Sequence, residues 1–465
     1  MHRFLPFIIL ASACLPKEPT VSPEDLSPSW EDTQKLGMLA VESNAHVQSE
    51  AVIFEGATIW TATGKIYAPG WIHFEEGEIK GLGEGTAPRR RNIERIQVEG
   101  TWITPGLIDT HSHLGVYPSP SARAHGDGNE ATSPTTPGVW AEHSFWPQDP
   151  GLKLAAAGGI TALQVLPGSA NIVGGRGVVL QLLPARGSRA MRFPGAPETV
   201  KMACGENPKR VYGGRGGPST RMGNIKTHRS AFMKAQETAK AWKKYEEERK
   251  KNKDAEPPTR DLAAETLMGI LNGDYLTQVH CYRADDMLSI LQLAKEFGFQ
   301  IRSFHHALEA YKIRDILAKE NVSSSTWSDW WGFKLEAYDG IPHNAALLTE
   351  AGARAIIHSD SAEGIQRLNQ EAAKAYHWGK QAGLKVTEED ALAWITLNPA
   401  WALGIDKLTG SLEEGKRADL VIWDGHPFSV YTRPKQVYTH GVMTYDRNNP
   451  SPPWSDFLTG QEVTP

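Results

Sequence analysis

One apolar run that ends in two histidines indicates both a strand and a possible site in this protein: Trp102-Ile103-Thr104-Pro105-Gly106-Leu107-Ile108-Asp109-Thr110-His111-Ser112-His113. Alternate side chains of a β-strand point to the same side, so His111 and His113 would face one point together. Neutral imidazole is the commonest metal ligand in proteins, and a parallel barrel places its active site at the carboxyl ends of its strands. The pair therefore indicates a metal site, although two hydrogen-bonded surface histidines would leave the same short pattern.

Residues 105–403 alternate apolar, strand-like runs with helical patterns, which is typical of a parallel α/β domain and suits a barrel with insertions. Three of the later runs end in residue types that commonly bind metals in proteins. These are Leu276–Cys281 with His280, Phe299–His306 with the pair His305 and His306, and Ala355–Ser361 with His358 and Asp360. The carboxyl ends of parallel strands meet at one end of a barrel, so these side chains are expected to lie near His111 and His113.

This ordered set resembles the amidohydrolase superfamily, in the branch of imidazolonepropionase and related hydrolases of Xaa-Pro or cyclic amides. Barrel strands one, five, six and eight of that family supply His-x-His, His, His and Asp. The resemblance covers about residues 50–445 and implies a (β/α)8 TIM-like barrel over residues 105–403. The metal ligands that it implies are His111, His113, His280, His306 and Asp360.

The sixth barrel strand offers two adjacent histidines for one ligand position. We assign His306 instead of His305, because the spacing from His306 to the following Ala307-Leu308-Glu309-Ala310 looks like the family pattern. His358 lies two residues before Asp360 and could share its side of the strand. We expect His358 to have a hydrogen-bonding role beside the site.

The fourth barrel strand offers two candidates, Lys201 and Glu206, for a ligand that bridges two metals. Many family members use a carboxylated lysine at this position, and others use a glutamate. A bare ammonium would be repelled by divalent cations, whereas carboxylation by CO₂ turns the lysine into an anion. Glu206 lies five residues further on, past Gly205, and is expected in a loop. We therefore assign Lys201 as the bridge, and Glu206 as a residue that supports a ligand or touches the substrate, with the reverse assignment left open.

The predicted ligands suit a divalent metal, with one or two Zn²⁺ per chain. Such a metal lowers the pKa of bound water to about 7 and polarises a carbonyl group, and Asp360 is the expected general base. The resemblance thus implies a hydrolase that cleaves an amide or cyclic-amide C–N bond by attack of metal-bound hydroxide, on substrates such as dipeptides or N-acyl amino acids. A deaminase on the same scaffold and a catalytically silent surface binding protein are the alternatives.

Short alternating strands punctuated by glycine begin at Ala51 and reappear near the other end of the sequence. Neither group has enough strands to bury its own apolar face. We therefore predict that residues 51–104 and 404–450 pair into one small β-sandwich. The string Gly415-Lys416-Arg417-Ala418-Asp419-Leu420-Val421 looks like the closing motif of the same superfamily, which builds its sandwich in this way.

Residues 1–14 have the three parts of a secretory signal peptide, with a basic start, the apolar run Phe4–Ala11, and small residues before Cys14. The small residues followed by Cys14 resemble a bacterial lipobox, which implies lipidation of that cysteine. Residues 15–50 would then tether the protein in the bacterial cell envelope, on the periplasmic side of the outer membrane. An ordinary apolar segment with an incidental cysteine is the alternative. Cys204 and Cys281 lie in strand-like runs, and a disulfide framework is not implied.

Two further segments have distinctive compositions. Gly168–Gly177 is rich in glycine but lacks the dinucleotide fingerprint and the P-loop motif, so we predict a tight turn or a substrate loop. Thr227–Lys253 has a strong helical pattern that ends before Pro257-Pro258, and it predicts a solvated insertion helix.

The 465 residues carry a formal net charge of −5, which gives no electrostatic case for binding nucleic acid. The expected partners are a small-molecule amide substrate and a membrane, reached through the N-terminal lipid anchor. A homo-oligomer is left open.

Overall fold

The computed structural model describes residue 49 and residues 51–330 and 332–450. Its strands are β1 (Val52–Trp60), β2 (Ile66–Glu75), β3 (Glu78–Glu84), β4 (Glu94–Gln97), β5 (Trp102–Pro105), β6 (Leu107–Ser112), β7 (Ile160–Val165), β8 (Val173–Gln181), β9 (Thr199–Ala203), β10 (Leu276–Cys281), β11 (Ile301–His306), β12 (Ser323–Thr326), β13 (Ala355–Ile357), β14 (Leu420–Trp423), β15 (Pro434–Thr439) and β16 (Val442–Asp446). The α-helices span Pro150–Ala157, Ser188–Met191, Glu206–Tyr212, Arg221–Arg249, Leu262–Asn272, Ala284–Phe297, Arg314–Lys319, Asn344–Glu350, Leu368–Gln381, Glu388–Ala393 and Leu397–Ala402. The predicted signal peptide, Cys14 and nearly all of the predicted tether lie outside the described residues.

Strands β6 to β13 form one sheet of eight strands that is nearly closed into a barrel, with the order β13-β12-β11-β10-β9-β8-β7-β6. The two ends of this sheet approach each other beyond β13, where the backbone N–H of Asp360 donates to the carbonyl oxygen of His111 at 3.0 Å. The prediction of a parallel domain is wrong at one strand, because β8 runs antiparallel to both β7 and β9. The other neighbouring pairs in this sheet are parallel.

The glycine-rich segment also differs from its predicted structure. The predicted loop Gly168–Gly177 becomes β-strand from Val173 onward, and every residue of β8 is buried. Close packing explains the glycine at position 177, where a Cβ atom would lie 2.7 Å from both Leu166 Cδ2 and Thr199 Oγ1. The glycine therefore lets neighbouring strands approach, and it does not mark a turn.

The stretch that ends in the two histidines belongs to two sheets. Strand β5 pairs with β1 and β14, while β6, on the other side of Gly106, pairs with β7. Every residue of β6 is buried, as expected from its apolar start. The strand that carries His111 is thus continuous with a second layer of structure, which fixes its direction.

The second sheet combines strands from both ends of the described chain. Its order is β16-β15-β14-β5-β1-β2-β3, and β4 pairs with β1. The rings of Phe54, Phe74 and Tyr438 meet in its core at centroid distances of 5.3–6.0 Å. Strands of the two predicted segments therefore share one hydrogen-bonded sheet. Its packing as a separate β-sandwich domain over residues 51–104 and 404–450 stays a prediction.

Cys204 and Cys281 form a disulfide, which the sequence did not imply. The pairing register explains the contact: in the parallel pair β9–β10, Ala203 lies opposite His280. Cys204 follows Ala203 directly after β9, and Cys281 follows His280 at the end of β10. The backbone N–H of Cys204 donates to the carbonyl oxygen of His280 at 2.9 Å. The bond therefore joins the ends of the two strands that carry Lys201 and His280.

The long insertion helix lies close to its predicted position, at Arg221–Arg249. Its last residues belong to Lys240–Thr259, which form part of a compact unit separate from Val41–Ala239 and Arg260–Pro465. Within Lys240–Thr259, the rings of Trp242 and Tyr245 meet edge to face at 5.9 Å. Within the described ranges, no helix has the length and apolar character needed to cross a bilayer.

Candidate metal centre

His111 and His113 converge at the carboxyl end of β6, as the alternation of a strand predicts. Their Nε2 atoms lie 3.3 Å apart. His111 is fully buried, whereas the side chain of His113 keeps 20% of its surface exposed. The Nδ1 atom of His113 lies 2.9 Å from the carbonyl oxygen of Leu166. A carbonyl oxygen only accepts, so Nδ1–H is the donor and Nε2 is the nitrogen of His113 that is left to bind a metal.

A chain of hydrogen bonds sets the tautomer of His111 in the same way. The amide nitrogen of Gln278 donates to the carbonyl oxygen of Ala402 at 3.2 Å, so its Oε1 atom accepts from His305 Nε2–H at 2.7 Å. The Nδ1 atom of the neutral His305 ring then accepts from Nδ1–H of His111 at 3.0 Å. The lone pair of His111 is thereby placed on Nε2, the nitrogen that faces His113.

The two adjacent histidines of β11 are both buried and contact different members of the cluster. The Nδ1 atom of His306 is 3.8 Å from Asp360 Oδ2 and 3.0 Å from His358 Nε2. Nδ1–H of His358 donates to the carbonyl oxygen of Thr326 at 3.0 Å, so Nε2 of His358 also keeps its lone pair. Of the two adjacent histidines on β11, His306 is therefore the one beside the carboxylate.

Asp360 faces the histidine pair directly. Its Oδ1 atom lies 3.3 Å from His113 Nε2 and 3.7 Å from His111 Nε2, and 23% of its side chain is exposed. Its backbone has a φ of +49°, in the left-handed region that non-glycine residues rarely adopt. The hydrogen bond from its N–H to the His111 carbonyl oxygen holds this conformation. The left-handed backbone of Asp360 thus coincides with a carboxylate that faces the histidines.

Asp109 supports the same junction from inside the barrel. Its carboxylate accepts from the backbone N–H of His111 and from the backbone N–H of Ser359, both at 3.1 Å, and from the Ser359 hydroxyl. Burial raises the pKa of Asp109 to about 6, against the lowering effect of these hydrogen bonds. Asp109 therefore links the histidine strand to the segment that carries Asp360.

Burial also determines the charge of the imidazoles. It lowers the pKa of His111, His280, His305 and His306 well below the ordinary value, and nearby cationic groups add to this effect. Burial lowers the pKa of His358 to about 4, although Asp360 acts in the opposite direction. These rings are therefore neutral near pH 7, which is the form that binds metals.

Lys201 lies in the wall of the barrel, as predicted, on β9. Its Nζ atom is 3.5 Å from His111 Nε2 and donates to the carbonyl oxygen of Pro167 at 3.0 Å. Its side chain is buried, and burial lowers its pKa to about 7, despite the opposing effect of Asp360. Among the described residues, no carboxylate lies within ion-pair distance of its ammonium group.

Glu206 forms its ion pair with a residue outside the histidine cluster. It is the first residue of the helix Glu206–Tyr212, and its carboxylate forms an ion pair with Lys334 at 3.1 Å. The structure therefore brings Lys201 to the histidines and leaves Glu206 on a different contact.

His280 lies at the edge of the cluster. Its ring is 4.6 Å from that of His306, and its Nε2 atom is 3.3 Å from Asn207 Nδ2. Its Nδ1 atom is buried without a hydrogen-bond partner among the described residues. A buried imidazole with an unsatisfied nitrogen is costly in free energy, and such a group is one that a ligand can satisfy.

Two overlapping groups of side chains bring their ligand atoms within 4.8 Å of one another: His111, His113 and Asp360, and His111, His306 and His358. Imidazole nitrogens and one carboxylate form a donor set that fits a divalent transition metal. His358, which we expected to act only through hydrogen bonds, belongs to the second group. Lys201 lies next to both groups through His111.

Sequence reasoning missed the residues that orient this cluster. Gln278 stands two positions before His280, so strand alternation already places the two side chains on the same face of β10. Asp109 has the same spacing from His111. Trp327 had no sequence signal, because its contact with the rings of His306 and His358, at 4.7 and 4.8 Å, depends on how the chain turns after β12.

Comparison with known proteins agrees with this geometry. The sequence profile described as "Amidohydrolase family" matches residues 337–453. The solved structure of an amidohydrolase from Thermotoga maritima MSB8 is 35% identical, with a TM-score of 0.78 and coverage of 85% of this chain and 100% of that chain. The chain belongs to the amidohydrolase family.

Two named relatives bear on how far this amidohydrolase assignment reaches. A protein named "Amidohydrolase tasK" from Hapsidospora irregularis is 34% identical over 366 residues, which are 75% of this chain but only 37% of that protein. An imidazolonepropionase from Acinetobacter baumannii (strain AB307-0294) is 46% identical over 63 residues, which are 12% of this chain and 16% of that protein. These matches support membership of the family and do not identify a branch or a substrate.

The hydrogen-bond chain behind His111 predicts the effect of two substitutions on metal binding. His305→Leu removes the acceptor for His111 Nδ1–H, so zinc affinity should fall by about 10- to 100-fold, the usual effect of losing such a supporting contact. Gln278→Leu should act in the same direction but less strongly, since His305 remains. Competition with a chromogenic chelator measures the affinity.

His377→Leu is the matched control, because His377 is exposed on the helix Leu368–Gln381. Circular dichroism establishes that each variant is folded. If folded His305→Leu binds zinc with wild-type affinity, the hydrogen-bond chain through His305 does not orient His111.

Proposed function

We propose that this amidohydrolase is a metal-dependent hydrolase that cleaves an amide or cyclic-amide C–N bond of a small molecule. One observation carries the proposal: a cluster of imidazoles and one carboxylate converges on a point that solvent still reaches. His111 is fully buried, whereas the side chains of His113 and Asp360 keep 20% and 23% of their surface exposed. Such a half-open donor set is typical of catalytic metal sites, which keep a position free for water or substrate.

The residues proposed to hold the metal are His111, His113, Lys201, His280, His306 and Asp360. One or two zinc ions suit these donors. A bound divalent cation supplies Lewis acidity, which makes water a better nucleophile at neutral pH and polarises a carbonyl group. The residues of the chain must then orient the substrate and move the protons.

Asp360 is the proposed general base. Its carboxylate is partly exposed, so it can reach an attacking water from the open side of the cluster. Asp360 would take the proton from that water and deliver it to the nitrogen of the leaving amine. The fixed backbone of Asp360 supports this role, because a base must be held within hydrogen-bonding distance of the proton that it removes.

Lys201 is the proposed bridge between two metals, in the form of a carboxylated lysine. Its Nζ atom lies 3.5 Å from His111 Nε2 and has no carboxylate partner within ion-pair distance among the described residues. An ammonium at this place would repel a divalent cation, whereas reaction of the neutral amine with CO₂ forms an N–C bond and releases one proton to give a carbamate anion. Glu206 is engaged by Lys334, which supports the choice of Lys201.

Hydrolysis and deamination on this scaffold differ in their products. Hydrolysis of an N-acyl amino acid or a dipeptide releases a free carboxylate and an amine, whereas deamination releases ammonia. Zinc-loaded protein assayed with dipeptides, N-acyl amino acids, cyclic amides and aminopurines separates the two reactions. Release of carboxylate without ammonia supports the proposal, and release of ammonia from the aminopurines alone would replace it with a deaminase.

We also propose that the protein is attached to the bacterial cell envelope through lipidated Cys14, on the periplasmic side of the outer membrane. Cys14→Ser should move the protein from the membrane fraction to the aqueous fraction and remove the mass of the lipid. Fractionation and intact-mass spectrometry measure both effects. An unchanged mass and distribution in Cys14→Ser would show that Cys14 carries no lipid.

Asp360→Asn should separate metal binding from proton transfer. The histidines remain, so the variant should keep much of its metal, while kcat should fall by about 100- to 10,000-fold through loss of the base. Metal content by plasma mass spectrometry and steady-state kinetics are the two measurements. Asp339→Asn, on an exposed residue, should leave both unchanged. Near-normal turnover in Asp360→Asn would remove this residue from the mechanism.

Lys201→Ala and Glu206→Gln distinguish the two candidates for the bridge. Lys201→Ala should lower the metal content towards one ion or none per chain, and added formate or acetate should restore part of it by replacing the carbamate. Glu206→Gln should still bind two ions. The reverse result, full metal in the Lys201 variant and loss in the Glu206 variant, would assign the bridge to Glu206.

A further inference from the structure

The segment after β12 places an indole ring in contact with the candidate metal centre. Trp327 is buried, and its Nε1–H donates to the carbonyl oxygen of Ser359 at 2.9 Å, which fixes the ring. The ring stacks on His306 and on His358, with interplanar angles of 26° and 21°. Trp330 in turn stacks on Trp327, at 5.0 Å and 24°. A column of stacked rings thus runs outward from the imidazoles.

A second column starts from the same imidazole. Tyr282 follows β10 directly and stacks on His306 at 5.4 Å and 25°. The ring of Phe333 stands edge-on to both Tyr282, at 6.2 Å, and Trp327, at 6.3 Å. Phe333 therefore joins the two columns into one surface. We call the four residues Tyr282, Trp327, Trp330 and Phe333 the aromatic wall.

The outer half of the aromatic wall is exposed. Phe333 keeps 55% of its surface accessible and Trp330 keeps 39%, whereas Tyr282 and Trp327 are buried. Single exposed apolar residues are common and need no explanation. Here the exposed rings are continuous with buried rings that touch the metal centre, and a continuous apolar surface at such a place is typical of a ligand site.

Two ion pairs hold this segment in position. Lys334 pairs with Glu206 at 3.1 Å, donates to Asn207 Oδ1 at 3.3 Å, and has its Nζ atom 4.1 Å from the centre of the Tyr282 ring. Glu336 forms an ion pair with Arg221. The segment from β12 is thereby fastened to the residues that follow β9, so the wall is organised before a ligand arrives, which lowers the entropic cost of binding.

The charged groups that hold the wall are already paired. The ammonium group of Lys334 is matched by the carboxylate of Glu206, and the guanidinium group of Arg221 is shared by Glu336 and Asp286. The wall therefore offers ring faces and no unpaired charge from these groups. A flat, uncharged apolar group fits such a surface better than a carboxylate or an ammonium group, because offset stacking adds to the burial of apolar area.

We propose that the aromatic wall is the subsite for an aromatic group next to the scissile C–N bond, so that the substrates are amides with an aromatic side chain. This inference rests on the proposed amide hydrolysis. Phe333 and Trp330 act as specificity-determining residues, since they contact the substrate ring and take no part in proton transfer.

The kinetic test compares N-acetyl-phenylalanine with N-acetyl-cyclohexylalanine, which has a ring of similar size that is not flat. Wild-type protein should prefer the phenylalanine substrate in kcat/KM. Phe333→Leu and Trp330→Leu should each reduce this preference by about threefold to tenfold, mainly through KM, as expected from the stability of an aromatic pair. Leu335→Ala is the matched control, because Leu335 is 84% exposed in the same segment. Changes in the preference no larger than in Leu335→Ala would overturn the proposal.

A binding test separates failure of the subsite from failure of the proposed reaction. Isothermal titration of the zinc-loaded protein with 5-phenyl-2-pentanone and 5-cyclohexyl-2-pentanone requires no turnover, because hydrolysis does not cleave these ketones. Tighter binding of the phenyl ketone, weakened in Phe333→Leu and Trp330→Leu but not in Leu335→Ala, supports the subsite even where no amide is cleaved. Equal affinity of wild-type protein for both ketones would contradict it even where amides are cleaved.

Discussion

Burial of imidazole rings inside an apolar barrel is the constraint on which the candidate site depends. A buried ring nitrogen loses contact with water, and it is costly in free energy unless another group satisfies it. In His113 and His358, Nδ1–H donates a hydrogen bond to a main-chain carbonyl oxygen, and in His111 it donates to the Nδ1 atom of His305. The outer partners thus fix the tautomers, and the lone pairs point inward to a common region.

The fold provides these outer partners at defined places. His111 is held between the sheet that contains β5 and the barrel strand β7, so its main chain has little freedom. Asp109 ties the same strand to Ser359, next to the proposed base Asp360. The hydrogen bond from Asp360 to His111 also helps to bring the two ends of the barrel sheet together. The contacts that shape the site are therefore among those that complete the barrel.

The sequence was informative where a feature depends on neighbours along the chain. Strand alternation placed His111 and His113 on one side, and apolar runs ending in His280, His306 and Asp360 indicated strands of the barrel. It failed where a feature depends on packing between distant segments. The glycines of β8 resemble a loop in sequence and serve close approach of strands in the structure, and the Cys204–Cys281 contact follows from the register of β9 and β10. The hydrogen-bond chain from Gln278 through His305 to His111 likewise depends on packing between distant segments.

The central claim is that this cluster binds a divalent metal through the nitrogens that the hydrogen bonds leave free. Anomalous diffraction from crystals of the zinc-loaded protein, collected on both sides of the zinc absorption edge, tests it most directly. We predict an anomalous peak about 2.0–2.1 Å from Nε2 of His111 and of His113. If the protein takes up zinc and its anomalous peaks lie only at other residues, with no peak beside these two histidines, the cluster is not the metal site.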